Sequence, residues 1–447
     1  MSSNVRFVVK HGGRLHGRIR VPGDKSISHR SIMLGAIAEG TTEVTGFLEG
    51  ADSLATLQAF RDMGVPIEGP DNGHVVIHGV GLRGLKAPGK PLDMGNSGTA
   101  MRLMAGILAG QAFESELIGD ASLSKRPMKR VTDPLGQMGA HIETAPGGTP
   151  PLHIHPVGEA LHGIDYTLPM ASAQVKSAIL LAGLYAQGET CVTEPAPTRD
   201  HTERMLRGFG YEVHTEKLDA MRTRICLKGG GTLRGTRIDV PSDISSAAFF
   251  MVGAAIAEDA DLVIEHVGIN PTRTGVIDIL KLMGADITLE NEQTVGGEPV
   301  ADIRVRSSQL KGIEIPPELV PLAIDEFPVL FVAAAVAEGT TVLRGAEELR
   351  VKESDRIQVM ADALHTLGVD AEPTEDGMII RGGKPFQPQQ GVIDSHHDHR
   401  ISMASAIAAL RAPSNVVIDD CANVATSFPT FVELVRQAGL DIEVQHD

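Results

Sequence analysis

Six glycines divide the chain into near-equal lengths. They are Gly64, Gly139, Gly210, Gly284, Gly368 and Gly439, separated by 75, 71, 74, 84 and 71 residues. Each stands between a helix-like stretch and a short strand-like run: DMGVPI, QMGAHI, GFGYEV, LMGADI, TLGVDA and QAGLDI. Glycine has a reason to be there, because helices commonly end on a residue of positive φ, which glycine adopts without steric cost. Self-similarity at a fixed period constrains a fold more than any single motif does. Around each stop the same unit recurs. An Ala-rich apolar helix ends at a small or acidic turn, as in AIAEGTT (36–42), AQGET (186–190), AIAEDA (255–260) and AVAEGTT (335–341). A β-branched strand follows, then a second helix, then another strand. The material is α/β, and six copies in 447 residues predict two domains of three repeats. The break between repeats three and four falls near Gly229–Gly231 and Arg237–Pro241, where GGGTLRG reads as a crossover or a simple loop.

Bulk properties narrow the partners. The formal charge of −17 argues against nucleic acid or an anionic membrane as the main partner. The longest apolar runs, 247–257 and 329–337, are too short to span a bilayer and read as buried helices. The first residues, MSSNVRFVVKHGGR, lack the apolar core of a secretory signal, so a cytoplasmic location is expected. Cys191, Cys226 and Cys421 are scattered and odd in number, which predicts reduced thiols rather than a disulfide framework.

Polar residues gather where the helices begin. The first helices open through PGDKSISHR (22–30), GNSGTAMR (95–102), MASAQVKSA (170–178), PSDISSAAFF (241–250), IDEFPVL (324–330) and HHDHRISMA (396–404). The second helices open through ADSLAT, LSKRPM, PTRDHTERM, NPTRTG, RVKESDRI and VATSFPTF. Capping of free backbone N–H groups accounts for the Ser, Asp and Asn residues. It does not account for Lys25, Arg30, Arg126, Arg199, Lys352, Arg356 and Arg400. Cations are electrostatically disfavoured at a helix N-terminus, so their recurrence there points to a shared anionic ligand. Asp325 is either an N-cap or a general base near a substrate hydroxyl. Glu353, between Lys352 and Arg356, is either a local ion-pair partner or a proton carrier. His396, His397, Asp398 and His399 are packed too tightly to converge on one metal ion. GDK (23–25) lacks the spacing of a nucleotide P-loop.

The motifs PGDKSISHRS, GNSGTAMR, GDASLSKRPM, PMASAQVKSA, TRDHTE, IDEFP, LRVKESDR, DHRI and ATSFP, in this order over essentially the whole chain, resemble the 3-phosphoshikimate 1-carboxyvinyltransferase (EPSP synthase) family. SLSKRPM and SAQVKSA look most like its bacterial class II branch. The resemblance implies two similar inside-out α/β barrel domains, each of three βαβαββ repeats: 24–238, and 1–23 plus 239–447. It implies a monomer that closes over its ligands in the shikimate pathway, a target of glyphosate. The reaction is enolpyruvyl transfer from phosphoenolpyruvate to the 5-hydroxyl of shikimate 3-phosphate, with no cofactor. By position, Lys25, Ser26, Arg30, Ser172, Ala173, Gln174, Arg199, Asp325 and Lys352 would meet shikimate 3-phosphate. Lys25, Gly98, Arg126, Gln174, Arg356 and Arg400 would meet phosphoenolpyruvate. Asp325 would accept the hydroxyl proton, and Glu353, sharing with Lys25, would protonate the methylene carbon.

Three positions depart from the family pattern. Thr426 stands where many members have lysine, Ala173 where many have a second serine, and Gly98 where class II members often have alanine. Two other readings fit the sequence less well. A UDP-N-acetylglucosamine enolpyruvyl transferase typically uses a loop cysteine, and no cysteine precedes Cys191. A non-catalytic phosphometabolite-binding protein would lack the proton-transfer acids, and Asp325 and Glu353 are both present.

Overall fold

The structure, a computed structural model, describes residues 4–389 and 391–447. The stop glycines all sit at positive φ, from 77° at Gly368 to 125° at Gly439. Each ends a helix and turns the chain into a strand, and six sheets correspond to the six repeats. Repeat two shows the pattern. Leu92–Asp93 pairs in parallel with Ser115–Ile118, which pairs antiparallel with Thr149–His155, which pairs antiparallel with His141–Ala145. Among the described residues, five of the sheets have four strands and that of repeat five has three.

The chain divides into two compact units. The first is Gly23–Pro241 with Thr294–Glu298; the second is Met1–Pro22, Ser242–Gln293 and Pro299–Asp447. Strand pairing explains why the N-terminal segment belongs with the C-terminal half. Leu15–Ile19 runs parallel to Ala260–Gly268, and Val5–Val9 lies antiparallel between Val416–Asp419 and Ile442–His446. Arg237–Asp239 returns to pair with Glu39–Thr45 in the first unit. Residues 294–298, assigned from the resemblance to the second domain, group with the first unit. This hairpin tip reaches the helix His201–Gly208: His201 Nδ1 lies 2.7 Å from Glu298 Oε1. A Cβ on Gly297 would fall 2.1 Å from the Arg204 carbonyl oxygen, so the backbone approach demands glycine.

The first helix of each repeat is buried on nearly every side, which places it inside its barrel with the sheets outside. Gly98–Ala109 and Ala173–Gly183 touch backbone to backbone at Gly106, where a Cβ would meet the Ala178 oxygen at 2.3 Å. Each unit has its own apolar core. Two local expectations also change. VATSFPTF is not one helix start but a short helix, Val424–Ser427, followed by a separate helix, Phe431–Ala438. Cys191 and Cys226 are not free thiols: neighbouring strands pair them directly and they form a disulfide, a proximity that 35 residues of separation conceal. Cys421 is free and buried. Among the described residues, no helix is long and apolar enough to cross a membrane.

Candidate active site

Five of the six inner helices begin with a side-chain cap. Asp24, Ser97, Ser172, Asp243 and Asp398 accept from the backbone N–H of Ile27, Ala100, Val175, Ser245 and Arg400. The sixth, Phe327–Val336, has none. Asp325 precedes it in the 3-10 turn Ile324–Glu326, so the N-cap position itself is Glu326 rather than Asp325.

In the first unit the cations meet mainly neutral oxygens. Arg30 lies buried in Lys25–Ile37 rather than at its first residue. Its Nε donates to Thr202 Oγ1 at 2.8 Å, one terminal nitrogen to Ser177 Oγ at 3.3 Å, and the other to the Ser26 carbonyl at 3.2 Å. Thr202 Oγ1 in turn donates to Ser177 Oγ at 2.8 Å, so two hydroxyls from different helices aim the guanidinium. Burial pushes the Arg30 pKa down to about 10, against the pull of Asp24, Glu203 and Glu298. Lys25, the first residue of its helix, is half exposed and pairs with Asp52. Ser172 caps Ala173–Gly183, and Ala173 and Gln174 form its first turn. Arg126 follows the turn Leu123–Lys125 and donates to Asn96 Oδ1 at 3.0 Å. Arg199 is partly buried just ahead of His201–Gly208 and lowers the Arg30 pKa slightly by repulsion.

Sequence reasoning missed Arg102 in this unit. It lies one helical turn beyond Gly98 in GNSGTAMR and donates to Gln174 Oε1 at 2.6 Å. Gln174 Nε2 donates to Thr99 Oγ1 at 2.8 Å, so the amide is held from both ends. Burial, with repulsion from Arg126 and Arg130, lowers the Arg102 pKa. A Cβ on Gly98 would lie 2.7 Å from an Arg102 terminal nitrogen and 3.2 Å from one of Arg126. Lys176, one turn beyond Ser172, is fully buried between Glu194 at 2.8 Å and Glu203 at 3.0 Å. Burial alone would discharge it, but the two carboxylates raise its pKa instead.

In the second unit cations and carboxylates interleave. Arg356, the first residue of Arg356–Thr366, is buried. Its Nε donates to Asp398 Oδ2 at 2.9 Å and a terminal nitrogen to Glu353 Oε2 at 2.6 Å. Asp398, fully buried, also accepts from Ser354 Oγ at 2.8 Å. Burial would raise its pKa, and the Arg356 bonds outweigh that and lower it. Asp325 Oδ1 stands 3.8 Å from both Lys352 Nζ and an Arg356 terminal nitrogen. Lys352 also meets Glu348 at 2.9 Å. Arg400 donates to the Asp325 carbonyl at 3.2 Å. Burial opposes the Arg400 charge, and Asp325 and Glu326 more than offset it, raising its pKa. Glu353 keeps more than half its side chain exposed. The histidines of HHDH turn apart: His396 toward Asp394 at 3.7 Å and His397 to Asp420 at 2.8 Å. Burial, then Arg400, pushes His399 down to about 4. Thr426 is exposed on its short helix.

Two three-repeat barrels with charged inner-helix starts define an enolpyruvyl-transferase-like protein. A sequence profile of EPSP synthase (3-phosphoshikimate 1-carboxyvinyltransferase) matches residues 9–435, and the chain belongs to that family. It is 76% identical over 442 residues to the 3-phosphoshikimate 1-carboxyvinyltransferase of Hydrogenovibrio crunogenus, covering 99% of each chain. It is 66% identical to that of Nitrosococcus oceani, covering 98% of this chain and 96% of the relative. A solved EPSP synthase from Acinetobacter baumannii superposes with a TM-score of 0.94 at 64% identity, over 99% of this chain and all of that one.

Proposed function

We propose that these helix-start residues transfer the enolpyruvyl group of phosphoenolpyruvate to the 5-hydroxyl of shikimate 3-phosphate. Both substrates carry phosphate and carboxylate, which planar, permanently charged arginines bind well. The observation that carries the reading is Arg30, a buried cation held by two hydroxyls and a carbonyl, so its charge remains available to an anion. Lys25, Ser26, Arg30, Ser172, Ala173, Gln174 and Arg199 take shikimate 3-phosphate, with Lys352 beside its phosphate. Gly98, Arg126, Gln174, Arg356 and Arg400 take phosphoenolpyruvate, and Lys25 meets both. Arg102 positions Gln174.

The chemistry is addition, then elimination. Asp325 removes the 5-hydroxyl proton as that oxygen bonds to C2 of phosphoenolpyruvate. Glu353, sharing with Lys25, delivers a proton to C3. Loss of a C3 proton then expels phosphate from C2 and restores the double bond. Atoms balance without a redox partner. Asp325 suits the base role because its carboxylate stands among the cations that would draw the substrates' anionic groups, 3.8 Å from both Lys352 Nζ and an Arg356 terminal nitrogen. We also infer a cytoplasmic monomer of two domains, as the family resemblance implies.

Phosphate release from phosphoenolpyruvate tests the reading. It is expected only when shikimate 3-phosphate is present. Release with UDP-N-acetylglucosamine instead would establish the rival transferase, and binding without release would establish a non-catalytic protein.

A further inference from the structure

The outer face of the repeat-two sheet carries a group that the transfer reaction does not use. Along Thr149–His155, Leu152 and Ile154 enter the core, so alternation turns His153 and His155 to the outside. Glu114, just before Ser115–Ile118, places Oε1 3.2 Å from His155 Nδ1 and 4.0 Å from His153 Nε2. One ligand atom from each of the three residues falls within 4.8 Å of the others. The imidazole centroids are 4.5 Å apart with planes tilted by 41°. Tetrahedral ligands on a zinc ion stand roughly 3.3 Å apart, so side-chain rotation suffices to close the set. On its far side, His155 Nε2 faces Glu143 Oε1 at 3.5 Å. A carboxylate behind a histidine whose other nitrogen faces a ligand cluster is the arrangement that fixes tautomer and orientation in metal sites.

The repeat supplies an internal comparison. The corresponding sheet of repeat one also carries two outward histidines on one strand, yet they pair separately: His74 with Glu43 at 3.1 Å and His78 with Glu68 at 3.3 Å. Convergence is therefore not what this sheet face does by default. The other such group among the described residues, Glu189 with Cys191 and Cys226, has both sulfurs in a disulfide.

We propose that Glu114, His153 and His155 form a surface site for a divalent ion of the zinc class, with Glu143 orienting His155. Two imidazoles and one carboxylate favour zinc, nickel or copper over magnesium or calcium, and three protein ligands leave a position for water. The ion ties Glu114 to the strand Thr149–His155 and stabilises the sheet by mass action.

Calorimetric titration of the chelator-treated full chain with zinc chloride at pH 7.5 tests this, because imidazole must be neutral to bind. One zinc site is expected. It should be lost in His153→Ala and His155→Ala, and weakened about 10-fold or more in Glu143→Gln. His74→Ala should leave it unchanged, and turnover should be unaltered in all four variants. No zinc binding to the wild type, equal binding of magnesium, retention of the site in His153→Ala, or loss in His74→Ala would each overturn the proposal.

Discussion

The two units are built from the same repeat but treat a buried arginine in opposite ways. Arg30 is held by Thr202, Ser177 and a carbonyl. Arg356 is held by Asp398 and Glu353, with Asp325 close by. The first arrangement leaves a positive charge largely uncompensated at contact distance, which suits capture of an anion. The second cancels much of the charge locally and surrounds a cation with carboxylates of different exposure, which suits proton traffic. Asp398 is fully buried and committed to Arg356, Asp325 is mostly buried 3.8 Å from both Lys352 and Arg356, and Glu353 is largely open. On this view one unit mainly binds and the other mainly reacts.

The sharpest way to break that division is Asp325→Asn. Removing a general base typically costs about 100- to 10,000-fold in rate. The expected result is such a fall in kcat with little change in KM for shikimate 3-phosphate. Steady-state phosphate release checks it, and full turnover in the variant would remove Asp325 from the base role.

Next comes the pair Arg356→Met and Arg30→Met. Deleting Arg356 strands the buried Asp398 carboxylate, and breaking a buried ion pair costs about 3–5 kcal/mol. Deleting Arg30 leaves Thr202 and Ser177 bonded to each other, so its stability cost should be no more than about 1 kcal/mol. Its effect should appear instead in KM for shikimate 3-phosphate, raised about 10- to 100-fold by loss of a charge-assisted contact. Urea unfolding and substrate kinetics together decide. Equal destabilisation by the two substitutions would erase the contrast.

Acid probes a feature that the units share. Burial, then repulsion from Lys25, pushes His29 down to about 3, and its Nδ1 bonds Thr56 Oγ1 at 2.8 Å. His399 in the second unit is pushed down to about 4. A histidine depressed on folding is protonated in the unfolded chain first. Stability is therefore kept above about pH 6.5 and falls as pH drops toward the folded values, levelling below them. His29→Gln should flatten the decline between pH 6 and about 4 by up to about 1.4 kcal/mol per pH unit. Urea unfolding across that range measures it, and an unchanged slope would mean His29 is protonated in the folded state.

What could be read from the chain and what could not follow from distance along it. The stop glycines and helix caps were legible because φ preferences and N–H capping act within a few residues. Lys25 and Ser172 sit at helix starts by that logic, whereas Gly98 was singled out only by the family resemblance. Arg102 escaped because its partner Gln174 is 72 residues away and only helix packing brings them together. The Asp398–Arg356 pair, the Thr202–Ser177 cradle and the Cys191–Cys226 bridge were hidden for the same reason. The N-terminal strands and the 294–298 tip were likewise beyond local pattern, since sheet membership depends on which edge is open.

The smallest expected effect concerns Gly98, in the binding unit. Gly98 is the first residue of its helix, and no positive φ requires glycine there. Alanine is the better helix former, so Gly98→Ala should fold with unchanged or slightly higher stability. Its methyl would press on the terminal nitrogens of Arg102 and Arg126, flexible ends that can yield but must then leave their present positions. Arg126 is assigned to phosphoenolpyruvate, and Arg102 holds Gln174. Losing one charge-assisted hydrogen bond of about 1.5 kcal/mol corresponds to about 10-fold in affinity. The wild type is therefore expected to be glyphosate-sensitive, with Gly98→Ala inhibited about 10-fold less and the KM for phosphoenolpyruvate rising by a smaller factor. Inhibition assays at fixed phosphoenolpyruvate measure both. Equal, weak inhibition of the two forms would show that room at Gly98 does not govern access, and that the arginines of the binding unit are set by contacts other than the missing methyl.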